Sequence, residues 1–588
     1  MRSGLRTGIV ATAAVTAAVA LYVSLTLPPP TIRLDVSVPP THVMGAVHMH
    51  SIRSDGTGTI EEIASAASRA GLSFIVLTDH GDATRSPDPP AYHHGVLVID
   101  AVEINTREGH LVALGLTEAA PYPLAGAARD VIEDLHRLGA VAVAAHPDSP
   151  KESLRWRATN VPVDGVEWLN VDSEWRDESP GRIIGGAFRS LVRPAESIAG
   201  LFSRPVASLR RLDQAARSRP VFGLSGLDAH ARIGWREDEE PRQRTALARP
   251  TYESMFRTLA DVVVLDRPLD RQPASDASRV IGALLTGRSY SVVRAFAEPA
   301  SLTYSAGAQQ RVWLPGDRID QGPSVQFDAR AEGAPGARIT LFRNGQPLKT
   351  GQGAVTATSD EPGVYRVEGY LPGRDMPWLI SNPITIAAVA PAVEATAGRG
   401  DGPGRFGRGR GGPVTALPQE PRSPVERLAA ALDGERWSTE QDPLSRANTL
   451  ARDGERILAF ALGDGVAYGQ YTALVLGGQE RAGIQELMLR LSASRQMRVS
   501  VQVRLPGGRD GQRWQRSVYV DEQARDVTLR LQDFEPVDSP TSRRPIVAPI
   551  QSLLFVVDTV NTKPGTTGEL RLHAVEFGVN RLQDGEVR

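Results

Sequence analysis

The chain opens on an unbroken apolar run and then settles into alternation. Gly8 to Leu27 carries no charge, follows Arg2 and Arg6, and is closed by three prolines, Pro28 to Pro30. Twenty helical residues span about 30 Å, one hydrocarbon core. Basic residues ahead of such a run stay in the cytoplasm. Residues 1–30 are therefore expected to anchor the protein in the cytoplasmic membrane, with the rest extracytoplasmic. Ala18-Val19-Ala20 offers a cleavage site of the A-x-A kind, which would give a secreted protein instead. Cutting there would leave "LYVSLTL" exposed, so the uncleaved anchor is favoured.

From Val43 to about Arg294, short apolar runs alternate with longer segments of helical character. "SFIVLTDH", "GVLVIDAVEI", "HLVALGL", "VAVAAHPD", "DGVEWLN" and "VFGLSGLDAH" read as strands buried on both faces, as in a parallel sheet. "TIEEIASAASRAG" reads as a helix: Thr59 and Glu62 form a capping box, Ile60, Ile63 and Ala67 share one face, and Gly71 is the stop. Such alternation predicts an α/β sheet or barrel over residues 42–295.

Near residue 300 the period shortens. "VQFDARAEG", "ARITLFRNGQPL" and "GVYRVEGYL", with Asn344-Gly345 as a hairpin signal, predict a small all-β sandwich over 300–390. Residues 391–424 are rich in Gly, Arg and Pro and read as a flexible linker. Over 425–588 the chain is again β. Met497, Val499, Val501, Val503 and Leu505 alternate with Arg498, Ser500, Gln502 and Arg504, giving one buried and one wet face, and a jelly roll fits best.

A chain of 588 residues exceeds one core. Its net charge of −2 gives no basic field for nucleic acid. With no cysteine, disulfides, thiolate metal sites and cysteine nucleophiles are excluded, so any metal site must be built from His, Asp and Glu.

The histidines are unevenly placed. Ten of 11 lie between His42 and His230. His48, His50, His80, His110, His146 and His230 sit at or beside strand ends, accompanied by Asp55, Asp79, Glu103 and Asp228. In α/β barrels the C-terminal strand ends converge on one mouth. Imidazoles mixed with carboxylates suit Zn, Mn or Fe, and nine ligands (Asp79 set aside) exceed what one ion can use. A multinuclear site for divalent ions follows, of the kind that activates water and clamps a phosphoryl group. His42, His93, His94 and His136 are read as bystanders, His136 as solvated on a helix whose core face is Val131, Leu135 and Leu138.

"HMHSIRSDG", "LTDHG", "VEI…GHLVALGL", "AAHPD" and "LDAH", in that order, resemble the successive motifs of the PHP (polymerase and histidinol phosphatase) superfamily. The resemblance covers roughly residues 42–295. It implies a distorted (β/α)7 barrel with a two- or three-metal site at its C-terminal mouth. By motif, it implies His48, His50 and Asp228 on one metal with Glu103 bridging. Asp55, His80 and His230 would hold a second, and Glu103, His110 and His146 a third. Asp79 would fix a ligand or a helix end, and Arg53 or Arg232 would meet the substrate phosphate. The C-terminal segment is similar to galactose-binding-type jelly rolls of carbohydrate-binding modules, with Trp514 and Tyr519 either a sugar platform or core.

The expected function is an extracytoplasmic metal-dependent phosphoesterase. Its catalytic set would be His48, His50, Asp55, His80, Glu103, His146, Asp228 and His230, and its C-terminal module would bind surface glycan. The alternatives are hydrolysis of a C–N or lactone bond, and a non-enzymatic glycan-binding surface protein.

Overall fold

The computed structural model describes residues 2–158, 161–231, 250–322, 324–334, 336–388, 426–465, 469–481, 483–507, 511–537 and 549–579. Arg232 and the linker over 391–424 lie outside them. The chain is mostly β, in several antiparallel sheets and one closed set of strands. It divides into two units: Met1–Ala120 with Leu124–Val389, and Pro121–Pro123 with Ala390–Arg588. The N-terminal helix α1 (Arg2–Thr26) contains an 18-residue window, Ile9–Thr26, long and apolar enough to cross a membrane.

In the first unit, β1 (His42–Met49) pairs in parallel with β2 (Phe74–Leu77), and β2 with β3 (Val96–Asp100). The line of β3 continues past Ala101 into β4 (Val102–Thr106), followed by β5 (Gly109–Leu114), β6 (Val141–Ala144), β7 (Gly165–Asn170) and β8 (Phe222–Ala229). β6, β7 and β8 pair in parallel, and β8 returns to β1, closing the circuit. β3, β7 and β8 are buried along their whole length, which is why their sequences lack polar alternation.

The parallel expectation fails at β5, and also at Ala260–Val264, which pairs antiparallel with β1. β5 runs antiparallel to both β4 and β6. Two residues, Arg107 and Glu108, separate β4 from β5, and a two-residue link can make a hairpin but not the longer crossover that parallel neighbours need.

Helices stand at three of the connections. α2 (Ile60–Arg69) links β1 to β2, with Thr59 and Glu62 forming the capping box, Ile63 and Ala67 buried, and Gly71 beyond its end at φ +75°. α3 (Ala128–Arg137) links β5 to β6. Four helices, α4 (Val171–Arg176), α5 (Pro180–Arg189), α6 (Pro194–Ala199) and α7 (Val206–Ala216), link β7 to β8.

Residues beyond 300 add a four-stranded antiparallel sheet of Leu302–Ala308, Arg311–Trp313, Val325–Ala331 and Ala354–Ser359. Asn344 and Gly345 both take positive φ in the turn joining Arg338–Arg343 to Gln346–Gln352, the geometry an Asn-Gly hairpin requires. Leu379–Ser381 pairs with Ser289–Val292, so the second sheet of this region runs on from the strands before it.

The second unit packs two antiparallel sheets, as a sandwich or jelly roll does. Met497, Val499, Val501 and Val503 enter the core between them, with Trp514, Phe555 and Phe577. The expected wet face is not wet: Arg498, Gln502 and Arg504 are buried too, on the side away from that core, with Arg504 in a two-pronged pair with Glu440 at 2.9 and 2.7 Å. Trp514 is fully buried, a core residue rather than a platform.

Candidate metal centre

The ends of β1, β2, β4, β5, β6 and β8 bring nine side chains to one place. Glu103, on β4, is the hub. Its Oε2 lies 3.2 Å from His48 Nε2, 3.3 Å from His50 Nε2 and 3.4 Å from His80 Nδ1. Its Oε1 lies 2.8 Å from His110 Nδ1 and 2.9 Å from His146 Nε2. Asp228 approaches His48 and His50 at 3.4 and 3.2 Å. Asp55 lies 3.5 Å from His50, 3.9 Å from His80 and 3.1 Å from His230.

Three groups of donors have ligand atoms within 4.8 Å of one another: His48, His50, Glu103 and Asp228; His50, Asp55, His80 and His230; and His80, Glu103 and His110. His50 thus joins the second group, and His80 stands in the third, where His146 was expected. The β4–β5 hairpin explains why Glu103 and His110, seven residues apart, meet: Asn105 faces His110 across it, and Glu103, two residues from Asn105, shares that face.

The backbone is strained where the cluster forms. His48, His146 and Asp228 have φ of 65°, 30° and 50°. Non-glycine residues visit this region rarely and at a cost, and such residues concentrate at functional sites. Burial is deep: His48 and His50 are fully buried, and Glu103 nearly so. Burial disfavours charge on each group, yet their mutual attraction outweighs it. Glu103, Asp228 and Asp55 are held below the usual carboxylate range by the surrounding histidines. The carboxylates in turn raise His48 and His146, and raise His50 to about 10, whereas burial lowers His80.

The donors fit divalent metal. His50 Nε2 and His80 Nδ1 are buried with no well-formed hydrogen bond, although both point at carboxylates. A divalent cation placed among them would take over the role of the protons that imidazoles such as His50 share with the carboxylates. Mixed N and O donors of this kind suit Zn, Mn or Fe.

Asp79 does not join the cluster. It accepts from Ser51 N, Ser51 Oγ and Ser54 Oγ at 2.7, 2.7 and 2.6 Å, holding the turn that runs from His50 to Asp55. Arg53 pairs with Asp88 and lies 3.7 Å from Asp100, both outside the cluster. His42 meets the Tyr290 hydroxyl, and His93 and His94 meet Glu61. His136 is not simply solvated: its Nε2 lies 2.7 Å from Asp164.

Two residues were missed by sequence. Glu167, buried in β7, sits 2.5 Å from His48 Nδ1 and accepts from His146 N at 2.7 Å and Asn170 Nδ2 at 2.9 Å. Gly226 makes room for it, since a Cβ there would fall 2.4 Å from the carboxylate. The signal was present in "DGVEWLN": a carboxylate inside a strand buried on both faces needs a partner. The second is Tyr252, whose hydroxyl donates to His50 O at 2.7 Å and accepts from Thr57 N and Gly58 N at 3.1 and 3.2 Å.

No family model and no curated protein matches this chain. Among solved structures, it is similar to a family 11 carbohydrate-binding module from Clostridium thermocellum in complex with a β-1,3-1,4-mixed-linked tetrasaccharide (11% identity, 26% of this chain, 96% of that chain, TM-score 0.22). Others are a variant of a family 29 carbohydrate-binding module complexed with cellulohexaose (10% identity, 26% and 91%, TM-score 0.18) and a family 4 module (17% identity, 25% and 96%, TM-score 0.18).

Proposed function

We propose that this chain is an extracytoplasmic metal-dependent phosphoesterase, hydrolysing phosphomono- or phosphodiesters on a distorted (β/α)7 barrel of the PHP kind. The observation that carries the reading is the convergence of His48, His50, Asp55, His80, Glu103, His110, His146, Asp228 and His230 around one hub carboxylate. His48, His50, Asp228 and Glu103 would hold one ion, Asp55, His80 and His230 a second, and His110 and His146 with Glu103 a third. When bound, divalent ions supply positive charge to a phosphoryl oxygen and make water more acidic. The protein's own part is positional. Glu167 fixes a proton of His48 on Nδ1 so that Nε2 is the nitrogen turned to the cluster. Asp79 and Tyr252 hold the turn after His50, and the walls of β7 and β8 exclude water. Residues beyond α1 would lie outside the cytoplasm, with α1 as the anchor.

The test is elemental analysis of the full chain in detergent, alongside hydrolysis of p-nitrophenyl phosphate and bis-p-nitrophenyl phosphate. Two or more ions per chain, and activity lost in His50→Ala, are expected. Protein that carries metal but cleaves only amide or lactone substrates would replace this reading with the C–N or lactone hydrolase.

For the second unit, a glycan-binding role is favoured by a polar row on the outer side of its sheet, in which Ser500 and Gln515 are partly exposed and Gln502 and Arg504 are buried beside them. Gln502 donates to Ser500 Oγ at 3.1 Å, Ser500 donates to Gln515 at 2.8 Å, and Arg504 extends the row. Amide, hydroxyl and guanidinium groups are the donors and acceptors that sugar hydroxyls pair with. Retardation of the full chain in gels containing soluble β-glucan, reduced in Gln515→Ala, checks it.

A further inference from the structure

Between β7 and β8 the chain makes a detour whose surface is unusually apolar. Residues 180–193 read "PGRIIGGAFRSLVR". Ile184 and Phe188 lie one turn apart on α5, Leu191 and Val192 follow in the turn beyond it, and the four are 59%, 38%, 63% and 58% exposed. The same segment carries Arg182, Arg189 and Arg193 and no acidic residue. A folded soluble surface seldom leaves so much apolar side chain on one short segment.

Beside these residues α5 is packed, and what it packs against is α1. Gly185 is buried under Tyr22, where a Cβ would fall 2.4 Å from the phenol oxygen. Arg193 Nη1 donates to Pro28 O at 2.5 Å, and Thr31 donates from N and Oγ1 to Glu196 of α6 at 3.2 and 3.1 Å. The contacts therefore fall at the very residues where the apolar window Ile9–Thr26 ends. Leu21 and Leu25, on the last turns of that window, are exposed as well.

We propose that α5 and the turn after it form an interfacial helix, seated in the bilayer surface at the point where α1 leaves it. Ile184, Phe188, Leu191 and Val192 enter the boundary between headgroups and acyl chains, and Arg189 meets lipid phosphate. A basic amphipathic helix binds membrane in this way, by apolar area plus attraction to anionic lipid. The occupant is lipid because the apolar patch is continuous with the exit of the span. The proposal rests on α1 being an uncleaved anchor. It places the membrane contact in the connection between β7, which carries Glu167, and β8, which carries Asp228.

The native chain has no cysteine, so single labels are clean. Full-length Leu25→Cys, Ile184→Cys and Leu191→Cys proteins, each carrying an environment-sensitive fluorophore, would be placed one per nanodisc of phosphatidylethanolamine and phosphatidylglycerol. All three labels are expected to lose emission about twofold when doxyl-labelled lipid is included, as expected at shallow insertion depth. Leu191 lies in the exposed turn, so its replacement leaves the packing of α5 intact. Quenching at Leu25 with none at Ile184 and Leu191 would overturn the interfacial helix and leave the anchor standing. No quenching at Leu25 would remove the anchor reading and this inference with it. Shielding of Ile184 and Leu191 from a water-soluble quencher only at two copies per disc would assign the patch to a second copy instead.

Discussion

Glu167 and His48 meet over β8, the strand between theirs, Oε1 to Nδ1 at 2.5 Å, both fully buried. A carboxylate can only accept here, so Nδ1 carries a proton and Nε2 is the nitrogen turned to Glu103 and Asp228, protonated toward them in the metal-free protein and a ligand once that proton leaves. An acidic partner behind a ligating histidine fixes its tautomer and raises its basicity. Glu167→Gln keeps the volume under Gly226 but removes the charge, and its amide cannot accept from His48, His146 N and Asn170 together. Divalent-metal affinity is expected to fall about 10–100-fold with the fold retained. Titration with a competing chromophoric chelator, with circular dichroism as the control, measures both.

Glu103 and His230 should behave differently on removal. Glu103 touches five histidines through two oxygens, whereas His230 contacts Asp55 and Asp228 at the rim. Glu103→Ala is expected to lower bound metal by more than one ion per chain. His230→Ala is expected to lower it by one at most. Elemental analysis of both variants after equal metal exposure decides, and equal losses would dismiss Glu103 as the hub.

Much of this was legible in sequence, for identifiable reasons. The buried strands announced themselves because parallel strands with both faces covered lose their polar positions, and α2 because Thr59 and Glu62 cap it locally. The cluster was legible because histidines are rare here and gather at strand ends. What was hidden depended on direction and distance. Nothing in "HLVALGL" tells a parallel from an antiparallel strand, and it is the shortness of the Arg107-Glu108 link that decides. Glu167 looked like one polar letter in an apolar word. Tyr252 is about 200 residues from His50 in sequence, and its hydrogen bond exists only in the closed fold. The apolar patch on α5 reads as an ordinary helix until its packed face is known to lie against α1.

Tyr252 gives a stability prediction. Its hydroxyl is the partner of two backbone N–H groups, Thr57 and Gly58, as well as of His50 O. Tyr252→Phe keeps the ring stacked near Phe256 but strands Gly58 N and His50 O in a buried position, while Thr57 N keeps His230 O at 3.1 Å. Leaving buried polar groups unpaired costs about 1–3 kcal/mol. Chemical denaturation should show a loss of that size. A larger proportional loss of metal affinity than of stability would show that the tyrosine positions His50 as well as supporting the fold.

The cluster's charges set a pH signature that separates metal from protons. In the metal-free protein, burial opposes the charge on His48, His50 and His146, but the neighbouring carboxylates raise all three, His50 to about 10. Their stabilising contribution is complete below the ordinary imidazole value of 6.5 and is lost as pH rises through the raised values. Glu103, Asp55 and Asp228 are lowered, so theirs is complete above the ordinary 4.5 of a glutamate and is lost as pH falls. The two windows overlap between about pH 4.5 and 6.5, where the metal-free protein should be most stable. Metal needs the same imidazoles without their protons, so its uptake releases protons and tightens as pH rises. The gap in Tm between metal-loaded and chelator-treated protein is therefore expected to widen from about pH 5.5 to 8.5, by mass action on the folded state. Scanning calorimetry at fixed free metal measures the gap, and calorimetric titration in buffers of different ionisation enthalpy counts the protons. A gap that stays flat with pH, and uptake without proton release, would mean that the raised histidines are not the metal's ligands.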